Sequence, residues 1–133
     1  MKTLFNALLM SFMLLLGMSC SSNTPESVAK EFTKAIYTAD YTRARELSTA
    51  DSKDVIQLIE TLSSGHVEAF KTSNPKVKVV SCDMKVEGEK AVVVLDVSHT
   101  FNMDTKKIDT DILKETQTVV KVDDKWLVQA KLK

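Results

Sequence analysis

The chain has 133 residues, and its 18 basic side chains balance 18 acidic ones to a formal charge of zero. Nucleic-acid binding needs a basic stripe, which this balance does not provide. With three glycines, two histidines and two cysteines, the chain has no glycine-rich phosphate loop or dinucleotide fingerprint and no ligand spacing for a structural metal, so neither a cofactor nor a metal is expected.

Met1-Lys2-Thr3 opens the chain with one positive charge, and Leu4 to Leu16 is then almost wholly apolar. That run suits the apolar region of an export signal and is shorter than the ~20 residues of a spanning helix. Gly17 and Ser19 lead into Cys20, and the polar stretch Ser21-Ser22-Asn23-Thr24 follows. The segment resembles the signal and lipobox of bacterial lipoproteins, in which the cysteine is lipidated and the chain is cut just before it. Ser19 and Cys20 fit that pattern. Gly17 stands where the family has leucine, with Leu16 one place early. The resemblance implies that residues 1–19 are removed, that Cys20 is acylated, and that residues 20–24 are a tether. An ordinary signal peptide cut near Ser19, or an uncleaved anchor, are the other readings. With Ser21 rather than an acid after the cysteine, the expected location is the cell envelope, on the periplasmic face of the outer membrane. Removing residues 1–19 takes away only Lys2, leaving 17 basic against 18 acidic side chains and no polybasic patch, so acyl chains would do the anchoring.

The single-domain part, residues 25–133, begins with helical periodicity. Thr24 and Pro25 suit an N-cap and a first helical position. Val28, Phe32, Ala35, Ile36 and Ala39 recur at helical spacing and predict a helix over 25–39. Asp40 predicts the cap of a short second helix carrying Tyr41, Ala44 and Leu47. A third helix starts near Asp51 with Val55, Ile59 and Leu62, and His66 to Lys71 predicts one more turn.

After Asn74-Pro75 the period becomes two. Val80, Cys82, Met84 and Val86 alternate, as do Ala91, Val93, Leu95, Val97, His99, Phe101 and Met103. Val120 and Val122 alternate, then Trp126, Val128, Ala130 and Leu132. Four strands after three helices predict an α+β fold, with N-terminal helices on a bent antiparallel sheet. Matching apolar faces pairs Val86 with Ala91, Met84 with Val93, Cys82 with Leu95 and Val80 with Val97, and in the last hairpin Val122 with Trp126 and Val120 with Val128. Asp104 to Asp111 is expected to be a charged loop.

The stretch TPESVAKEFTKAIYTADYTRARELST, with the strand meander ending KVDDKWLVQAKL, resembles small exported lipoproteins of the cystatin-like, nuclear transport factor two-like superfamily. The resemblance spans about residues 24–132. It implies a cone in which the sheet wraps the first helix, and it carries no catalytic motif. Cone-fold enzymes of the ketosteroid-isomerase type use an acid, a histidine or a tyrosine on the inner face.

On that inner face the alternation places His99, with Thr116 as its expected hydrogen-bond neighbour. Thr116, Thr118 and Trp126 are the other residues expected to line a cone. Each also has a structural reading: a satisfied histidine at the open end of the sheet, ordinary strand threonines, a core tryptophan. The expected register keeps Cys82 out of reach of His99, so no thiol–imidazole pair is expected, and Cys82 reads as core. The function class that fits is a membrane-anchored binding module for a partner protein or a small apolar ligand. A hydro-lyase or isomerase using His99 is the alternative, and a structural envelope protein without ligand the second alternative.

Overall fold

The structure is a computed structural model that describes residues 23–130; the signal segment and Cys20 lie outside the described residues. Four α-helices come first: α1 (Pro25–Tyr37), α2 (Tyr41–Glu46), α3 (Lys53–Leu62) and α4 (Val67–Thr72), with single 3₁₀ turns at Ala50–Ser52 and Ser64–His66. Six strands follow: β1 (Lys76–Val86), β2 (Lys90–Ser98), β3 (Thr100–Asn102), β4 (Lys107–Asp109), β5 (Leu113–Val122) and β6 (Lys125–Val128). The main antiparallel sheet has the order β1-β2-β5-β6, and β3 pairs with β4 as a separate hairpin. The α+β class with helices on a bent antiparallel sheet is therefore as expected, although the four expected strands are six.

Helix α1 forms where its caps and stripe require. The Thr24 hydroxyl accepts from the Ser27 N–H (3.2 Å) and Pro25 opens the first turn. Its C-terminus closes in a Schellman arrangement without glycine. Ala39 has φ 57°, its N–H donates to the Ile36 carbonyl (3.3 Å), and the Asp40 N–H reaches back to the Ala35 carbonyl (2.8 Å). Asp40 then caps α2 by accepting from the Arg43 N–H (3.2 Å). Val28, Ala29, Phe32 and Ala35 form the buried stripe of α1. They pack with Val93, Leu95, Val119, Trp126 and Val128 of the sheet, Ile56 of α3 and Phe70 of α4, while Ile36 packs against this cluster partly buried.

Strand parity decides what faces α1, and three registers differ from expectation. In the first hairpin Met84 pairs with Ala91, Cys82 with Val93, Val79 with Leu95 and Val77 with Val97. The register shifts between Val79 and Ser81, so Val80 is pushed to the surface and Val77 and Val79 take the inner positions. An extra residue in one strand bends it and increases its twist, which helps the sheet curve around the helix.

The second difference is at His99. Strand β2 stops at Ser98, and His99 has φ 60°, the left-handed region. This kink flips the alternation: Thr100 becomes buried (3% exposed), while Phe101 pairs with Ile108 on β4 and stacks against Phe70 (centroids 5.1 Å apart, edge-on) and His66 (5.7 Å). The expected charged loop thus contains β4.

The third difference sets the floor of the molecule. Lys121 pairs with Trp126, Val122 with Lys125 and Val119 with Val128. The turn is Asp123-Asp124 alone, both at positive φ (50° and 65°), the two-residue hairpin geometry that matches strand twist. The expected three-residue turn is one residue too long, and that one residue reverses the face of β5. Val119 is fully buried, whereas Val122 is 42% exposed.

The edge of β6 is covered. Ser48 forms a parallel bridge with Val128, the Thr49 N–H donates to the Val128 carbonyl (2.9 Å), and the Val128 N–H donates to the Leu47 carbonyl (2.8 Å). Asn23, expected in a free tether, grips the same strand: its Oδ1 accepts from the Trp126 N–H (2.7 Å) and its Nδ2 donates to the Trp126 carbonyl (3.3 Å). The opposite edge, β1, carries Lys76, Lys78 and Lys85 and its bulge, devices that discourage edge-to-edge pairing.

Two side-chain-bearing residues at positive φ strain the Asp123-Asp124 turn. Asp124→Gly removes one such cost and is expected to stabilise the domain by roughly 0.5–1 kcal/mol in denaturant unfolding, with m-value unchanged. A destabilised variant would contradict the two-residue turn.

Candidate functional site

Between the helices and β5 lies a cavity of about 810 Å³, within the range of small-molecule sites. One wall is helix α1, through Phe32, Thr33, Ile36 and Tyr37. A second is α3, through Val55, Ile59 and Leu62, with Tyr41, Ser63 and Phe70 beside it. The third is β5 from Glu115 to Thr118, with Gln129 and Ala130 at the end of the sheet and Met103 at the β3–β4 hairpin.

Because Val119 faces inward, Gln117 and Glu115 at alternate positions face inward too, opposite Val93 and Leu95 of β2. Both meet α1. The Tyr37 hydroxyl donates to Glu115 Oε1 (2.5 Å). The Gln117 amide nitrogen donates to Thr33 Oγ1 (3.3 Å), and the Thr33 hydroxyl itself donates to the Ala29 carbonyl (2.8 Å). Thr33 and Tyr37 are one helical turn apart, so α1 presents two oxygens to the alternate positions of one strand. At the far wall the Tyr41 hydroxyl is hydrogen-bonded to Ser63 Oγ, which donates to the Ile59 carbonyl (2.8 Å).

Burial pushes the Tyr37 phenol well above the usual tyrosine range, and Glu115 adds to it through the hydrogen bond and through its charge. A phenolate there would be desolvated beside a carboxylate.

The residues singled out in the sequence distribute differently. Thr116 and Thr118 belong to the cavity wall, but the register sets them opposite Val94 and Val92, on the parity facing away from α1. Trp126 is buried (7% exposed) in the core cluster and is not part of the cavity wall; the Lys121 ammonium lies 5.7 Å from its ring centroid. His99 is outside the cavity. Its Nδ1 is hydrogen-bonded to Ser98 Oγ (3.0 Å), so the expected partner Thr116 is replaced by its chain neighbour. The strand kink at His99 itself removes it from the inner face. Cys82 lies opposite Val93 and away from His99 along the sheet. Burial, with help from the nearby Glu26 and Asp83 carboxylates, pushes its thiol pKa up, which disfavours a nucleophilic thiolate. Among the described residues no cluster of His, Cys, Asp or Glu suits a metal ion, and no helix is long and apolar enough to cross a membrane.

The sequence reading missed Tyr37 and Glu115. Tyr37 was legible as one turn after Thr33 on the buried side of α1; Glu115 needed the phase of β5, which the two-residue turn sets.

Residues 18–129 match the family described as a domain of unknown function, DUF4878. The chain belongs to this family. No curated protein matches it. Among solved structures it is similar to a Campylobacter jejuni protein provisionally named an NTF2-like transpeptidase, with TM-score 0.55 and 19% identity over 81% of this chain and 99% of that one. It is also similar to a Thiobacillus denitrificans protein provisionally named a calcium/calmodulin-dependent protein kinase type II association domain (TM-score 0.51, 12% identity, 79% and 89% covered). A third is a protein of Shewanella frigidimarina provisionally named a ketosteroid isomerase (TM-score 0.50, 12% identity, 80% and 91% covered). At these identities the likeness is one of fold. This DUF4878 chain has the NTF2-like cone fold that its helices and bent sheet describe.

Tyr37→Phe leaves the shape of the cavity and deletes the bond to Glu115. A loss of about 1–2 kcal/mol is expected near neutral pH. The folded pKa of Tyr37 lies above its unfolded value, so its contribution is fully present below about pH 10 and is lost as pH rises beyond it. Denaturant unfolding from pH 8 upward should show wild-type stability falling above about pH 10, and that part of the fall should be absent in Tyr37→Phe.

Proposed function

We propose that this DUF4878 protein is a binding module of the cell envelope that holds a small, largely apolar molecule between α1, α3 and β5. The observation that carries the reading is the cavity itself. It is large enough for such a ligand, it is lined on its helical side by Phe32, Ile36, Val55, Ile59 and Leu62, and a few polar groups converge on its β5 side. That mixture is what orients a ligand as well as burying it. The fold adds support without specifying the ligand, since the same cone serves unrelated activities.

Ile59→Trp tests the cavity by filling it. The neutral fluorescent probe N-phenyl-1-naphthylamine is expected to bind the soluble domain at one site, and at least about tenfold more weakly to Ile59→Trp at unchanged melting temperature. No binding, or binding that ignores the substitution, would overturn the proposal.

The anchoring belongs to the same reading. The apolar run ending at Ser19-Cys20 supports lipidation of Cys20 and a place on the periplasmic face of the outer membrane. Cys20→Ala is expected to move the protein from the membrane fraction to the soluble fraction with its fold intact. Wild-type protein without acyl mass by mass spectrometry would refute the anchor.

A second reading, a proton-transferring isomerase or hydro-lyase, is favoured by one observation: an acid and a tyrosine meet on the inner face, as Glu115 and Tyr37. It ranks second because the Tyr37 proton is directed at Glu115, so the phenol has no proton free to polarise a substrate oxygen.

A further inference from the structure

The polar groups of the cavity are strongly unequal in kind. Among the described residues that line it, Glu115 is the one carboxylic acid, and none is a lysine, arginine or histidine. Lys114, next in sequence, points to the opposite face of β5, where its ammonium pairs with Asp96 (2.7 Å). Among the described residues Glu115 has no ion pair, and its one hydrogen-bond partner is Tyr37 at Oε1.

The hydroxyl donors of α1 and of the far wall are already spent. Tyr37 donates to Glu115, and Thr33 donates to the Ala29 carbonyl. Ser63 donates to the Ile59 carbonyl, which directs the Tyr41 proton to Ser63. The Gln117 amide gives one N–H to Thr33. The one charged group left is an acceptor, the second oxygen of Glu115, with the carbonyl oxygen of Gln117 two residues away on the same strand face. The remaining donors are all neutral: the amide N–H groups of Gln117 and Gln129, and the hydroxyls of Thr116 and Thr118 on the strand parity facing away from α1. A carboxylate in a partly apolar cavity loses hydration that only a cation or strong donor can replace.

From this we propose that the cavity takes a cationic amphiphile: an apolar body against α1 and α3, and a protonated amine that donates to Glu115 and Gln117. The proposal rests on the cavity being a ligand site and adds the charge and the hydrogen-bonding sense of the ligand. An anionic ligand of the same shape would set its charge against Glu115, where no side chain among the described residues compensates it.

Three isosteric probes of one naphthyl body test this: 1-naphthylmethylamine, 1-naphthalenemethanol and 1-naphthoate. Binding to the soluble domain is measured by fluorescence or calorimetry near pH 7, in about 0.15 M salt. The ammonium is expected to bind at least about tenfold more tightly than the alcohol, and the carboxylate more weakly than either. Glu115→Gln is expected to bring the ammonium to the level of the alcohol, with folding of the variant read separately from its circular dichroism and melting temperature. If Glu115→Gln fails to fold, Tyr37→Phe serves: it keeps the carboxylate, and the preference for the ammonium must survive in it. Equal binding of all three probes, or tighter binding of the carboxylate, overturns the charge preference and leaves the cavity as a site. Binding of none of them overturns the site together with the preference.

Discussion

The contact on which the molecule depends is the seam between the buried stripe of α1 and the inner face of β2 and β5. Val28, Ala29, Phe32 and Ala35 supply one side; Val93, Leu95 and Val119 supply the other. The hydrophobic gain from closing this seam is the main stabilising term available, because the described domain's one cysteine, Cys82, is free and its ion pairs lie partly or largely exposed to water. The seam is also directional. Once Val119 is inside, alternation leaves Gln117 and Glu115 no other face, and two polar side chains arrive under a helix. The fold tolerates them because α1 places Thr33 and Tyr37 at the same heights. The polar side of the cavity follows from how the apolar side is packed.

Curvature is what leaves a cavity there at all. The bulge at Val80 in β1 and the left-handed kink at His99 after β2 both turn the sheet at its edges. Beyond the kink, the β3–β4 hairpin packs against α4 through Phe101 and Phe70, bringing Met103 to the cavity. The third wall, α3, carries Ile56 into the core, while Ile59 and Leu62 line the cavity. The helices and the curved sheet therefore meet along α1 and leave a space bounded by α1, α3 and β5, in which Glu115 is the one carboxylate among the described lining residues.

His99 shows how position within a strand outweighs chemical promise. By residue type it was the most reactive-looking side chain of the sheet. At φ 60° it serves as a bend, bonded to its neighbour Ser98, while the acid and phenol that do share the cavity come from a strand and a helix 78 residues apart in sequence. A tyrosine whose proton is committed to a carboxylate, in a cavity whose described lining carries no cation, is better suited to receiving a donor than to polarising an acceptor.

The amino-acid sequence by itself determined the helices and the class of fold. Thr24, Pro25 and Asp40 are local caps, and the stripe from Val28 to Ala35 needs only the 3.6-residue period, so both are written within one or two turns of chain. The switch to period two after Pro75 likewise announced a sheet, and the inward set from Ala91 to Val97 was correctly phased because it is long and one-sided. What only the tertiary structure decided was phase at the ends. A two-residue turn at Asp123-Asp124 rather than three, a bulge at Val80 and a kink at His99 each displace the alternation by one residue, and one residue exchanges the faces of a strand. Several alternations of comparable apolarity were available to β1 and β5, with Val120 and Val122 competing against Val119. The choice fell to turn geometry and to packing against α1, long-range terms that no local pattern contains. Glu115, and with it the chemistry of the cavity, lay on the far side of that choice.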